Sequence, residues 1–474
     1  MAARSKAAKK KRCATRRSAA RTPAGSLLAG LVALALVAAG WHAQPTTSDY
    51  VDGSVQPLSV TASRMRVRPI LAPDNSHYYL RQLLRSANTT LLVQQQYIQK
   101  YASSQPWLLD GNPLMQGLYE AKQRGVAVRV IVDALGDTGA GDDFAAPFLK
   151  AVGIQVKYMH EDCYDHNKGI VVDGRVVAVS SINWSANSIR QNREAGVIVE
   201  SEEIAAYFTA AFEFDWANGN DTITAASGVS TTYTPAVDDP YTAAPVFTLD
   251  NVQVTAFLNP DNSYPFITNW WAAANETFHA EMYQLTINDL TDRLISMKTN
   301  APWLDQTIIM SRYRAGADSA TTANQAKLAA AGIDVYKSRS DLNFQHSKFW
   351  MINRKIVFIY SGNWSGTSIT LKPKSTSANR EWGLAFEDPC FVAYWTQLMS
   401  QDRQSATVLG SYCFGHYDSC GYCNGTDVCG NECATSSVRP SVATASIKAT
   451  SSTRVVSANG RFASGHLCVH AAEP

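Results

Sequence analysis

Acidic residues are missing from the first 43 positions, which hold nine Lys or Arg. A stretch charged in one sign only, followed by an apolar run, is a topogenic or targeting segment rather than part of a packed domain. Long apolar runs are missing elsewhere: Ala24 to Trp41 is the one stretch about long enough to cross a bilayer as a helix. Cysteine is nearly missing from the body, where only Cys163 stands between Cys13 and Cys390. An excess of positive charge is missing there too. Residues 44 to 435 carry 29 Lys or Arg against 39 Asp or Glu, although the whole chain is formally +2. Such a balance argues against extended contact with a polyanion, because nucleic-acid affinity comes mainly from Lys and Arg neutralising phosphates.

What the chain does have is a duplication. His166-Asn-Lys168-Gly-Ile-Val-Val-Asp173 is followed by Ser181-Ile-Asn183-Trp-Ser185 and Asn192-Arg193-Glu194. The series recurs as His346-Ser-Lys348-Phe-Trp-Met-Ile-Asn353, Ser361-Gly-Asn363-Trp-Ser365 and Asn379-Arg380-Glu381, and each histidine precedes its asparagine by 17 residues. Upstream, Pro73-Asp-Asn-Ser76 recurs as Pro260-Asp-Asn-Ser263, each opening a helical pattern with Asp, Asn and Ser placed for capping. β-prone runs follow at 90–98 and 277–287, then helices from Asn112-Pro113 to Arg124 and from Asp289 to Lys298. Buried strands are expected at 126–132 and 307–310, and a helix, glycine stop and strand around Gly153 and Gly332. Alternating β and α segments imply a mixed sheet with helices on both faces in each half.

The repeated residues suit one chemistry. Alternation along His166, Lys168, Ile170 and Val172 projects His and Lys from one side of a strand, with Asp173-Gly174 making the turn. Imidazole titrates near neutrality, so one histidine can attack while a second protonates a leaving group. Lys supplies a compact cation, and Asn and Ser supply donors suited to the non-bridging oxygens of a phosphodiester. Two such sets meeting across a pseudo-two-fold axis make a site that needs no metal and no cofactor.

The doubled motif resembles the H-x-K-x4-D signature of the phospholipase D superfamily in its single-chain, two-motif form, over roughly residues 60 to 405. The resemblance implies an α/β fold: two tandem phospholipase D-type α-β-α sandwich domains related by a pseudo-two-fold axis. It implies a covalent phosphohistidine on His166, with His346 protonating the leaving alcohol. It places Lys168, Lys348, Asn183 and Asn363, with Ser181 and Ser361, at the phosphate. It gives Glu194 and Glu381 the orientation of the histidines, and Asp173 and Asn353 a supporting place in the catalytic motifs. Asn353 departs from the Asp of the pattern. Ser180-Ser181 and Tyr360-Ser361 replace its usual Gly-Ser.

The domain plan reads as a basic cytoplasmic tail (1–23), a signal anchor (24–43), a first catalytic half (60–217), a linker (218–243) and a second half (244–405). A small Cys-rich module (411–435) and a Ser/Thr-rich disordered tail (436–474) complete it. The basic flank keeps the amino terminus cytoplasmic and the body lumenal or extracellular. Cleavage near Val37-Ala38-Ala39, an organelle transit peptide and a nuclear signal at Lys9 to Arg12 are rival readings of the leader. Eight cysteines after Cys13 suggest disulfides, with zinc as the alternative for Cys420-x2-Cys423-x5-Cys429-x3-Cys433. Sequons at Asn88, Asn220, Asn275 and Asn424 are open to glycosylation, whereas Asn183 and Asn363 belong to the site. Arg190, Arg193, Lys372, Lys374 and Arg380 are candidates for a cationic rim, and Trp270, Trp271 and Trp303 for a lipid interface or the core.

The expected substrate is a phospholipid, whose head group is hydrolysed or exchanged, with membrane contact through the anchor and no obligate protein partner. A lumenal single-strand exonuclease of the same superfamily is the second reading. The third is a catalytically weak scaffold or adhesion protein.

Overall fold

The computed structural model describes residues 55–101, 109–134, 145–313, 318–370 and 378–408. The basic tail, the anchor, the Cys-rich module, the Ser/Thr-rich tail, Lys372, Lys374 and the sequon at Asn424 lie outside them. Among the described residues no helix is long and apolar enough to cross a membrane.

The first ten strands in chain order are β1 (Leu58–Thr61), β2 (Met65–Ala72), β3 (Thr90–Gln95), β4 (Ala127–Val132), β5 (Gln155–Tyr158), β6 (Tyr164–Asp165), β7 (Lys168–Val172), β8 (Val176–Ser180), β9 (Glu194–Glu200) and β10 (Phe247–Leu249). The second half supplies β11 (Gln253–Asn259), β12 (Thr277–Met282), β13 (Asp305–Met310), β14 (Asp334–Lys337), β15 (Phe349–Ile352), β16 (Ile356–Tyr360), β17 (Asn379–Phe386) and β18 (Thr407–Val408). They form two mixed sheets, ordered β10-β2-β9-β8-β7-β3-β4-β5 and β1-β11-β17-β16-β15-β12-β13-β14-β18. The element order read from the sequence therefore holds in both halves, including Pro113 in the first turn of its helix and positive φ at the glycine stops Gly153 and Gly332; Asn112 caps that helix, its Oδ1 accepting from Leu114 N at 2.9 Å.

The two sheets exchange edges. β1, at the start of the first half, pairs with β11 of the second, and β10, at the start of the second half, pairs with β2 of the first. Boundaries drawn at 60 and 244 miss this, because each strand's hydrogen-bonding partner is long-range. The Pro-Asp-Asn-Ser repeats also differ from expectation: neither Asn75 nor Asn262 caps its helix through its side chain. Their Oδ1 atoms accept from the strand amides of Leu71 and Leu258, both at 2.9 Å.

Each sheet uses its faces differently. Ile170, Val172 and Ala178 pack with Leu80, Leu84, Leu114 and Leu118 of helices Ser76–Ser86 and Pro113–Gln123 in an outer core. Val171, Val177 and Val179 share a central core with Met351, Val357 and Ile359 of the other sheet. Helices Glu202–Asn218 and Pro389–Gln404 contribute Phe208, Phe212 and Trp395 to it. Burial of each such large apolar side chain stabilises the fold by about 1.5–3 kcal/mol, so the halves are joined by a common interior. Gly169 is among the glycines that close approach requires: a Cβ there would come within 2.4 Å of the Trp382 ring.

Arg193 and Arg380 lie in this interior and not on a rim. Arg380 is bidentate to Asp215 at 2.8 and 2.9 Å and also bonds Asp261. Arg193 bonds Asp402 at 2.7 Å and Asp74. Each arginine thus joins an Asp of its own half to one on the last helix of the other half. Arg190 is also committed, to Asp239 at 3.0 Å. The segment 218–243 is pinned to the first half by Asp239, by Asp238 on Arg81, and by stacking of Tyr241 on Tyr78 at 3.8 Å. Cys163 is a free, buried thiol, so pairing does not extend to all eight cysteines after Cys13. Trp271 is core, whereas Trp303 is exposed. Asn88, Asn220 and Asn275 are exposed.

Replacing Arg380 with Met leaves Asp215 and Asp261 buried without their guanidinium, Asp215 keeping only Gln94 and His160. It should lower stability by about 3–5 kcal/mol, read as the shift in chemical-denaturation midpoint. An unchanged midpoint would show that the buried pair does not hold the halves.

Candidate active site

The segment leading to each histidine lies parallel to the segment leading to the other half's glutamate. Tyr164 and Asp165 of β6 register with Asn379 and Arg380 of β17, and Gln345 bridges to Arg193. His346 N donates to Arg193 O at 2.8 Å, and His166 N to Arg380 O at 3.3 Å. The consequence is an exchange of partners. His166 Nδ1 lies 2.7 Å from Glu381 Oε1, and His346 Nδ1 lies 2.8 Å from Glu194 Oε2. Each histidine is therefore oriented by the carboxylate of the opposite half.

The carboxylates are held in turn. Ser181 Oγ donates to Glu194 Oε2 and Ser361 Oγ to Glu381 Oε2, both at 2.6 Å. Asn192 Nδ2 adds a bond to Glu194 at 3.0 Å, and Ser368 Oγ one to Glu381 at 2.7 Å. This corrects the expectation that Ser181 and Ser361 bind phosphate: a hydroxyl has one proton, and in both serines it is spent on the glutamate.

Burial disfavours the imidazolium form of His166, Lys168 and Lys348 act in the same direction against the pull of Glu381, and the result is a pKa near 4. His346 is lowered for the same leading reason, with Glu194 opposing. For Glu194 and Glu381 burial pushes the pKa up, but their histidines, lysines and serines outweigh it and hold them ionised. Burial likewise pulls Lys168 down to about 8 and Lys348 to about 7. A neutral histidine that gives its Nδ1–H to a carboxylate presents Nε2 as a free lone pair, the form a nucleophile needs.

Lys168 Nζ donates to Gln96 Oε1 at 3.0 Å and to His166 O; Lys348 Nζ donates to His346 O at 2.6 Å. Asn183 and Asn363 are buried, and the Oδ1 of each has no hydrogen-bond partner among the described residues. His166, His346, both lysines and both glutamates thus come together in one place, with the asparagines two residues beyond Ser181 and Ser361.

Asp173 and Asn353 do not join them. Both stand at the far end of the strand, about 23 Å of extended chain from the histidines, and both adopt positive φ in the turn. Asp173 accepts from the amides of Asn88, Thr89 and Thr90 at 2.8–3.0 Å. Its slight burial, which raises the pKa, is overcome by these donors, which hold it at about 2. Asn353 Oδ1 accepts from Asn275 N and Glu276 N, each at 2.9 Å, and its Nδ2 donates to Ala273 O at 2.8 Å. The motif's last position therefore ties a hairpin to the start of the neighbouring strand, a task an amide performs as well as a carboxylate.

Sequence reasoning missed Gln96, Tyr164, Tyr283 and Gln284. Tyr283 packs against His346 at 4.8 Å between ring centroids, and Gln284 Oε1 accepts from Asn363 Nδ2 at 3.3 Å. Their signal was positional, since Gln96 and Tyr283 each follow the last residue of the strand beside the catalytic one.

Two outcomes test this assignment. Asn353→Asp should change diester turnover little, while Asn353→Ala, which abandons three turn-closing bonds, should cost about 1–3 kcal/mol of stability; a large gain in turnover with Asp would return the position to the active site. Glu381→Gln should lower the pKa of His166 further and leave His346 in place, as read by ring 15N NMR. The opposite pattern would disprove the exchanged pairing.

Comparison with known proteins agrees with this geometry. The model of the family described as "Cardiolipin synthase, PLD-like domain" matches residues 80–216 and 268–403. The human mitochondrial cardiolipin hydrolase is 38% identical over 100 residues, which are 21% of this chain and 39% of that protein. The phospholipase D of Rickettsia felis is 26% identical over 181 residues, 36% of this chain and 84% of the relative. The chain thus spans about two fifths of the cardiolipin hydrolases it matches first. The crystal structure of phosphatidylserine synthase from Haemophilus influenzae shares the fold, with a TM-score of 0.54 at 14% identity over 77% of this chain and 92% of the other. Two matched halves, each bringing a His-Lys pair to a shared site, establish that this chain belongs to the phospholipase D superfamily.

Proposed function

We propose that the chain is a phosphodiesterase that hydrolyses phospholipid head groups or transfers the phosphatidyl group to an alcohol through a phosphohistidine. The carrying observation is the exchanged pairing of His166 with Glu381 and His346 with Glu194. His166 Nε2 attacks phosphorus and the P–O bond to the head group breaks as His346 donates its proton to the departing oxygen. His346 then takes a proton from water or an acceptor alcohol, whose oxygen attacks phosphorus, and the N–P bond breaks to free His166. Lys168 and Lys348 neutralise charge on the non-bridging oxygens. The diester's own charge favours the proton that His346 must carry.

A phospholipid fits better than a nucleic acid. The body is acidic, and the arginines that could have formed a rim, Arg193 and Arg380, are consumed in buried ion pairs. The names of the relatives, cardiolipin hydrolase and phospholipase D, point the same way. We place the body on the lumenal or extracellular side of a membrane, anchored through residues 24–43.

The test is turnover of mixed phospholipid vesicles beside a labelled single-stranded oligonucleotide, with His166→Ala and His346→Ala as controls. Lipid turnover, head-group exchange with added ethanol and loss of both in each variant are expected. Oligonucleotide shortening alone would replace this reading with the exonuclease, and silence on both with the scaffold. The pH profile follows from the site. kcat/KM should rise as His166 loses its proton near pH 4 and fall as His346, whose pKa burial also lowers, loses the proton it must donate, giving an optimum on the acidic side of neutrality. An optimum above pH 8 would contradict it.

A further inference from the structure

The pseudo-two-fold symmetry breaks where the lysines are held. β3 and β12 are equivalent strands, and the residue after each faces the catalytic lysine of its half. After β3 this is Gln96, whose Oε1 accepts from Lys168 Nζ at 3.0 Å and whose Nε2 donates to Tyr164 OH at 2.9 Å. After β12 it is Tyr283, and Lys348 Nζ stands 5.6 Å from its ring centroid. The position of Tyr164 is taken in the second half by Phe344, whose ring meets Tyr283 at 5.7 Å. One lysine therefore sits against an amide backed by a hydroxyl, the other against an aromatic ring backed by a second ring.

The difference matters because both ammonium groups share a desolvated site. Among the described residues, Lys168 has two carbonyl-type acceptors, Gln96 Oε1 and His166 O, while Lys348 has His346 O alone. A ring face attracts a cation but accepts no strong hydrogen bond, and in a buried site it replaces water less well than a carbonyl does. Glu194, Lys168, Glu381, both histidines and Tyr283 are the charged or titratable groups facing Lys348. With two glutamates ionised, both histidines neutral and both lysines charged, the empty site is neutral. One more negative charge, a phosphodiester, restores the demand for both ammoniums.

We propose that Tyr283 is a positioning residue that makes Lys348 the exchangeable ammonium of the site, charged while a diester is bound and the first lysine to lose its proton without one, whereas Gln96 keeps Lys168 charged to higher pH. The placement of Lys348 between burial and Lys168 on one side and Glu194 on the other accords with its lowered pKa. The catalytic meaning of this inference rests on the proposed phosphodiesterase reading. Its structural content does not.

The experiment uses the full chain with 13C-labelled lysine side chains, assigned with Lys348→Arg and Lys168→Arg, and titrated by NMR. Turnover of bis(p-nitrophenyl) phosphate is followed in parallel. Lys348 should titrate below Lys168. Tyr283→Gln, which supplies the acceptor that Gln96 gives Lys168, should raise the Lys348 midpoint by about one pH unit. Tyr283→Phe keeps the ring and should leave the Lys348 midpoint in place, and Gln96→Leu should lower that of Lys168. Lys168 titrating first, or a Lys348 midpoint indifferent to Tyr283→Gln in the folded protein, would overturn the inference. If the lysines titrate as expected but no diester is turned over, the functional reading fails and the assignment of Lys348 stands.

Discussion

Exchange of partners between the halves is the constraint on which the rest depends. Neither half contains a complete site. His166 is separated by 215 residues from the glutamate that orients it, and His346 by 152 from its own. The backbone makes this possible by laying the strand before each glutamate against the approach to the opposite histidine. The arginines that precede the glutamates in sequence then lock the arrangement from below, each spanning an Asp of either half. Catalytic geometry and the cohesion of the two sheets are thus one structural problem solved with adjacent residues.

A second layer is complementarity that is not symmetric. Gly169 yields space to Trp382, while the counterpart positions hold Phe349 and Ala195, so bulk has moved from one sheet to the other across the axis. Polar groups have moved likewise. Gln94 and Asp165 in the first half correspond to Glu281 and Gln345 in the second, so each half has one amide and one acid in opposite order. Asp165 and Glu281 are both pushed well up by burial. Duplicated halves that meet face to face must diverge in this way, since two identical bulky or charged groups on the axis would collide or repel.

Much of this was legible in the chain. The His-Lys pairs, the downstream glutamates and the β/α order follow from residue types, periodicity and repeat spacing, and the structure places them as those signals require. Less was legible about roles. Ser181 and Ser361 read as phosphate ligands because a hydroxyl near a catalytic histidine can serve either purpose, and only the direction of its one proton decides. Arg193 and Arg380 read as a rim because a charged residue is usually solvated; their buried Asp partners come from helices far away in sequence. Asn353 read as a departure because a motif records identity, whereas the position selects for an acceptor at a turn.

The sequence by itself determined the inventory and its duplication: two histidines, two lysines, two asparagines and two glutamates at matched spacing, carried on strands and turns that local periodicity sets. Tertiary structure alone decided which copy serves which. In a repeated chain each glutamate has the same local surroundings as the other, so nothing local distinguishes its own histidine from the opposite one. That choice belongs to the strand pairing across the pseudo-two-fold axis, because a hydrogen bond of 2.7 or 2.8 Å depends on where two atoms meet and not on how far apart they lie along the chain.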